Sequence, residues 1–168
     1  MDNTLQEKLE QLLDAYSHFF DIERDTEGFA AVATYHFREE NYILSKTNTI
    51  YATEQHEHVY FFVAERLDAE TLQAQIAASR EAGLARITPN GEHMFTFVTL
   101  VVVANSIDPE AQKLIQRYRF RKNFRLALHG WMEYHIAAMD VSANCFLSNP
   151  AGKEARKTLE RNFLPKAK

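Results

Sequence analysis

The stretch from Met94 to Ala104, read MFTFVTLVVVA, constrains this chain more than any other segment. It is rich in β-branched and aromatic residues and is apolar on both parities, the pattern of a strand buried on both faces. Such a strand sits in the middle of a sheet with helices on either side. The residues C-terminal to it fit that placement. Asp108-Pro109 reads as a helix cap followed by proline at the first helical position. A helix to about Phe120 is then expected, with Ala111, Leu114, Ile115 and Tyr118 facing inward. A central strand, a crossover helix and a further strand make a right-handed parallel unit.

The remaining elements can be read around that unit. Thr4 and Glu7 form a capping-box pattern, and Leu5, Leu9, Leu12, Leu13, Tyr16, Phe19 and Phe20 recur at helical spacing. Three strands are expected at Phe29–Arg38, Asn41–Ala52 and Val59–Ala64, with turns at Glu39–Asn41 and Glu54–Glu57. Asp68 caps a helix that Gly83 ends, and Leu84–Thr88 reads as a short strand before the Pro89-Asn90-Gly91 turn. Strands are expected at Phe124–His129, Trp131–Asp140 and Cys145–Ser148, then a helix from Ala151 to about Phe163. The expectation is a mixed α/β domain spanning residues 1–168, order αβββαβαβββα, with helices flanking a mixed sheet.

Composition bounds the class. In 168 residues, 46% hydrophobic and 25% charged side chains suit one globular domain, and twelve Phe with seven Tyr supply its core. The N-terminus lacks the basic and apolar segments of a signal peptide, and the apolar run ending at Ala104 is too short to span a bilayer. Cys145 is the only cysteine, so no intramolecular disulfide can form, and in a strand it reads as a structural thiol. A cytoplasmic protein without membrane contact is expected.

The element order resembles the restriction-endonuclease-like (PD-(D/E)xK) fold, in topology and over most of the chain. That resemblance implies a divalent metal held by an acid on the second strand and a D/E-x-K on the third. Asn41–Ile50 offers no carboxylate, and Val59–Arg66 offers Glu65 without a lysine two residues on, so no catalytic residue is carried over. The segment GWMEYHIAAMD with NPAGKEARKTL also resembles uncharacterised bacterial proteins, which brings no activity.

Several local patterns carry possible chemistry. His56 and His58, with Glu54, His36 or His93, form a weak metal candidate, although such a pair near a turn is more often solvated. Glu133 and His135 share one strand face with Trp131, either as an acid/base pair against an aromatic wall or as an ordinary solvent face. Asn149–Lys153 opens a helix whose amides can hold an anion, though a capped helix start is the plainer reading. No Gly-x-Ser-x-Gly, Gly-x-Gly-x-x-Gly or P-loop pattern occurs, and no cofactor is expected.

Charge is divided. Residues 1–107 carry a net −10 and residues 108–168 a net +6. From Ala111 to Met132 there are six cations and no acid, with Arg117, Arg119, Arg121, Lys122 and Arg125 concentrated near the end of the expected helix. Arg117 and Arg121 then align one turn apart. The expectation is a non-catalytic binding protein whose basic surface takes an anionic ligand, nucleic acid, or the acidic half of a second copy in a homodimer. The alternative is a small enzyme, either a nuclease-like metal hydrolase or one using Glu133 and His135.

Overall fold

The computed structural model describes residues 3–43 and 49–165, with side chains over 4–37 and 54–165. Its elements are α1 (Asn3–Ser17), β1 (Asp21–Thr26), β2 (Phe29–Ile43), β3 (Thr49–Leu67) and α2 (Ala69–Ala85). These are followed by β4 (His93–Ile107), α3 (Pro109–Arg117), β5 (Arg121–Asn123), β6 (Trp131–Asp140), β7 (Cys145–Ser148) and α4 (Lys153–Phe163). The expected order and class hold: a seven-stranded mixed sheet, ordered β1-β2-β3-β4-β6-β5 with β7 also on β6, lies between four helices.

β4 is central, parallel to β3 on one side and to β6 on the other. Its even-numbered side chains, Val98, Leu100 and Val102, pack with Tyr60, Tyr134, Ile136 and the inner faces of α2 and α3. Its odd-numbered Val101 and Val103 pack with Val59, Phe61, Ala137 and the leucine stripe of α1, closed by Leu159 of α4. Both faces are therefore buried, which is why the segment carries no alternation. Buried Asp140 ties the far end: its carboxylate accepts from the Ile107 amide at 2.9 Å and the Ala143 amide at 2.9 Å. Among the described residues no helix is long and apolar enough to cross a membrane.

Boundaries differ from expectation at places with physical causes. β1, sequence DIERDT, lacks an apolar face because it is a largely exposed edge strand. It turns into β2 through Glu27 and Gly28, both with positive φ. Glu39–Asn41 and Glu54–Glu57 are not turns: they lie within β2 and β3, which pair antiparallel from Ala31↔Phe61 to Ile43↔Thr49. Pairing along this long hairpin outweighs the low strand propensity of its polar residues. Positions 44–48 of the expected Asn41–Ala52 strand lie outside the described residues.

Leu84–Thr88 is not a strand, because α2 runs through Gly83 to Ala85. Gly83 is there for packing: a Cβ would meet Val98 Cγ2 at 2.5 Å. α1 stops at Ser17, leaving Phe19 exposed instead of on the buried stripe. α3 stops at Arg117, and Phe124–His129 is a closed turn; the strand returning beside β4 is β6. α4 begins at Lys153, two residues later than expected.

Candidate functional site

α1 and α4 cover only part of their face of the sheet. Beyond Val59 and Thr99 the odd-numbered side chains form an uncovered floor. Tyr35, Glu57, Phe97, Glu133 and Arg121 stand in register across β2, β3, β4, β6 and β5. The next row holds Phe37, Gln55, Phe95, Trp131 and Asn123. Phe95 and Phe97 stack at 4.6 Å, Phe95 meets Trp131 at 5.7 Å and Phe97 meets His135 at 4.5 Å. The guanidinium of Arg121 lies 4.8 Å over the Trp131 ring. The strand period of two thus gathers Trp131, Glu133 and His135 on one face, with Met132, Tyr134 and Ile136 buried on the other.

Two ionisable groups here are desolvated. Burial raises the Glu57 carboxyl above its ordinary range, against the opposing hydrogen bond from Thr99 Oγ1 to Oε1 at 3.1 Å. Burial lowers His135 below the ordinary imidazole range, against the stabilising contact of its Nε2 with Glu133 Oε2 at 3.4 Å. A cleft of about 340 Å³ adjoins Glu57, walled by Tyr16 of α1, by Phe19 and Phe20 just after it, and by Glu154 and Arg161 of α4. Sequence reading found Trp131, Glu133 and His135 but missed Glu57, Phe95 and Phe97. The parity of Glu57 against His56 and His58 was the available signal, since it sends the carboxyl to the opposite face.

That opposite face gathers the histidines. His36 and His56 are cross-strand partners with Nδ1 atoms 2.9 Å apart, so one ring donates to the other. His56 Nε2 lies 3.7 Å from Glu54, and His56 is 6.1 Å from His93 between ring centroids. His93 is committed: its Nδ1–H donates to the His129 carbonyl at 2.7 Å and its Nε2 accepts from Thr96 at 2.8 Å. Burial together with the nearby Arg86 cation pushes His58 down to about 4. A cavity of about 230 Å³ borders Glu54, His56, Arg86, Asn90 and His93. Among the described residues no three His, Cys, Asp or Glu side chains are placed to hold a metal ion, so the structure does not assemble the candidate His56/His58 set. Glu65 lies near the far end of β3, about 30 Å along the strand from His56.

The basic run is exposed but does not form a helix face. Arg117 ends α3, Tyr118 is extended, and Arg121 and Lys122 lie on β5, so the expected one-turn alignment of Arg117 with Arg121 does not occur. Along β5 the side chains alternate: Arg121 lies over Trp131, and Lys122 lies 5.8 Å from the Phe124 ring. The five cations therefore wrap the edge strand. Among the described residues Arg117, Arg119, Arg121, Lys122 and Arg125 have no carboxylate within 4 Å, whereas Lys113 pairs with Glu110. A cleft of about 420 Å³ lies beside this edge, lined by Arg119, Phe120, Arg121, Glu133, Pro150 and Ala151.

Asn149, at the start of the candidate anion segment, is a structural node. Its Oδ1 accepts from the amides of Ile136 at 2.9 Å and Gly152 at 2.8 Å, and its Nδ2 donates to the Tyr118 and Tyr134 carbonyls. The Gly152 amide expected to face an anion is consumed by this bond.

No curated protein and no solved structure matches the chain. A family model described as a domain of unknown function (DUF8052) matches residues 4–161. With its fold and sites placed, the chain belongs to that family.

Proposed function

We propose that this protein is a non-catalytic binding protein that engages an anionic partner through its basic edge. One observation carries the reading: five exposed cations wrap β5 and its flanks without a carboxylate within 4 Å among the described residues. Surface cations paired with acids are neutralised locally, while an unpaired cluster projects a field that attracts anions. The single Cys145, half-buried in β7, supports a cytoplasmic setting as part of the same proposal. Heparin retention at low ionic strength tests it. The wild-type protein is retained and elutes with salt, while a variant with all five cations changed to Gln flows through. Wild-type protein that binds no polyanion at low ionic strength ends the reading.

The uncovered floor of Glu57, Phe97, Glu133 and His135 supports a second reading, an enzyme or small-ligand site. Its supporting observation is the desolvated Glu57 carboxyl in register with Phe97, whose ring in turn meets the desolvated His135 imidazole. Trp131 is the only tryptophan of the chain, so ligand entry registers directly in its fluorescence. A compound that shifts that emission in wild type and not in Glu57→Gln identifies the ligand class. The resemblance to the restriction-endonuclease-like fold is carried forward for topology alone, on the β1–β3 meander and parallel β4.

A further inference from the structure

We propose that the turn at 124–130 is a docking tip for an anionic lipid bilayer, with Leu126 and Leu128 entering the interfacial layer and the basic edge contacting lipid phosphates. This rests on the anionic-partner reading and names the partner. It departs from the expectation of no membrane contact, which came from the N-terminal pattern and from the lack of an apolar run long enough to span a bilayer.

Leu126 is 95% exposed and Leu128 78% exposed, the two most exposed large apolar side chains among the described residues. They are held out by the backbone. Arg125, Leu126 and Ala127 have φ of 47°, 53° and 69°, a left-handed turn of three consecutive non-glycine residues. Such a run is rare because each Cβ crowds its own carbonyl, so the surrounding structure must impose it.

The turn is closed on itself. Phe124 N–H donates to the Gly130 carbonyl at 3.0 Å, Leu128 to Arg125 at 3.0 Å, His129 to Phe124 at 3.1 Å and Gly130 to Ala127 at 3.2 Å. Its base is anchored by the Phe124–His93 ring contact and by the His93 bond to the His129 carbonyl. Gly130 seats against Met94 and His93, where a Cβ would meet carbonyl oxygens at 2.5 and 2.6 Å. These bonds occupy the amides of Phe124, Leu128, His129 and Gly130 and hold the turn's shape, while the hydrated interfacial layer can still solvate the backbone of its tip.

Charge complementarity selects the partner. Cations beside apolar tips match a layer with phosphates outside and acyl chains within, the combination that interfacial anchors use. A nucleic acid would gain nothing from aliphatic tips, since bases require stacking planes, and here Arg121 covers Trp131. Two leucines also fall far short of the roughly 800 Å² per partner of a stable protein interface.

The test is vesicle co-sedimentation of the full chain with phosphatidylcholine alone and with about one third phosphatidylglycerol added. Leu126→Ser/Leu128→Ser and Arg121→Gln/Lys122→Gln/Arg125→Gln variants are run alongside, with heparin retention and circular dichroism on each. Wild type is expected to sediment only with anionic vesicles. The leucine variant should keep its fold and heparin retention but partition at least about tenfold more weakly, and the basic variant should lose both. Vesicle binding unchanged in the leucine variant overturns the tip. Heparin or single-stranded DNA binding without vesicle binding overturns the bilayer and leaves the anionic-partner reading standing. Binding to none of them ends both. Self-association in sedimentation velocity that the leucine variant abolishes reassigns the tip to a second copy and overturns the proposal.

Discussion

Asn149 holds three segments together with one side chain, being 1% exposed and bonded to β6, the α3 end and the α4 start. Asn149→Ala leaves buried amides and carbonyls unpaired, and each orphan costs about 1–3 kcal/mol. Loss of about 3 kcal/mol is expected in urea unfolding. Glu57 is the opposite case, because its folded pKa lies above the unfolded one. Its contribution is present at pH below the unfolded value and lost as pH rises through the folded one. Glu57→Gln, which can still accept from Thr99, should therefore raise the melting temperature at pH 7 and leave it nearly unchanged at pH 4. Neither role is visible in isolation: the sequence offers Asn149 as a helix start and Glu57 as a polar turn residue.

At the scale of elements, α2 and β4 meet at Gly83, where there is no room for a methyl group beside Val98. Alanine favours a helix interior by up to about 1 kcal/mol, but overpacking a stiff β-branched neighbour costs about 1–3 kcal/mol. Gly83→Ala should thus destabilise on balance in a thermal melt. The β2–β3 pair carries the pH response. His58 stays neutral in the fold down to about pH 4, while the unfolded chain takes up its proton near 6.5. The unfolded state then binds more protons between these values, so stability is full above pH 6.5 and falls towards pH 4. Half-buried His56 adds in the same direction. Urea midpoints measured across that window should fall on acidification, and less steeply in His58→Gln.

For the molecule as a whole, the charge division becomes a basic edge at one side of the sheet, not a pairing of halves. Those cations have no carboxylate within 4 Å among the described residues, so removing them breaks no ion pair. It costs only the exposed ring contacts of Arg121 and Lys122 while relieving mutual repulsion. The variant with all five changed to Gln should melt at or above the wild-type temperature; a fall of several degrees would show that the edge is internally compensated. The sequence by itself determined the mixed α/β class, the four helices and the central place of β4, because a doubly buried strand and amphipathic helices are written in local periodicity. The edge strand β1 and the polar stretches of the β2–β3 hairpin are not. It also paired Glu133 with His135, since a strand alternates whatever surrounds it. Only the tertiary structure decided that FRLALH is a turn with its leucines outward. The same alternation serves a half-buried strand, and what excludes it is non-local: closure of Phe124 onto Gly130, anchoring on His93, and a β6 edge already taken by β5 and β7. Glu57 likewise became a desolvated acid only when β4 brought Thr99 and Phe97 alongside it and Tyr16, Phe19 and Phe20 walled it, a neighbourhood set by tertiary packing and not by spacing along the chain.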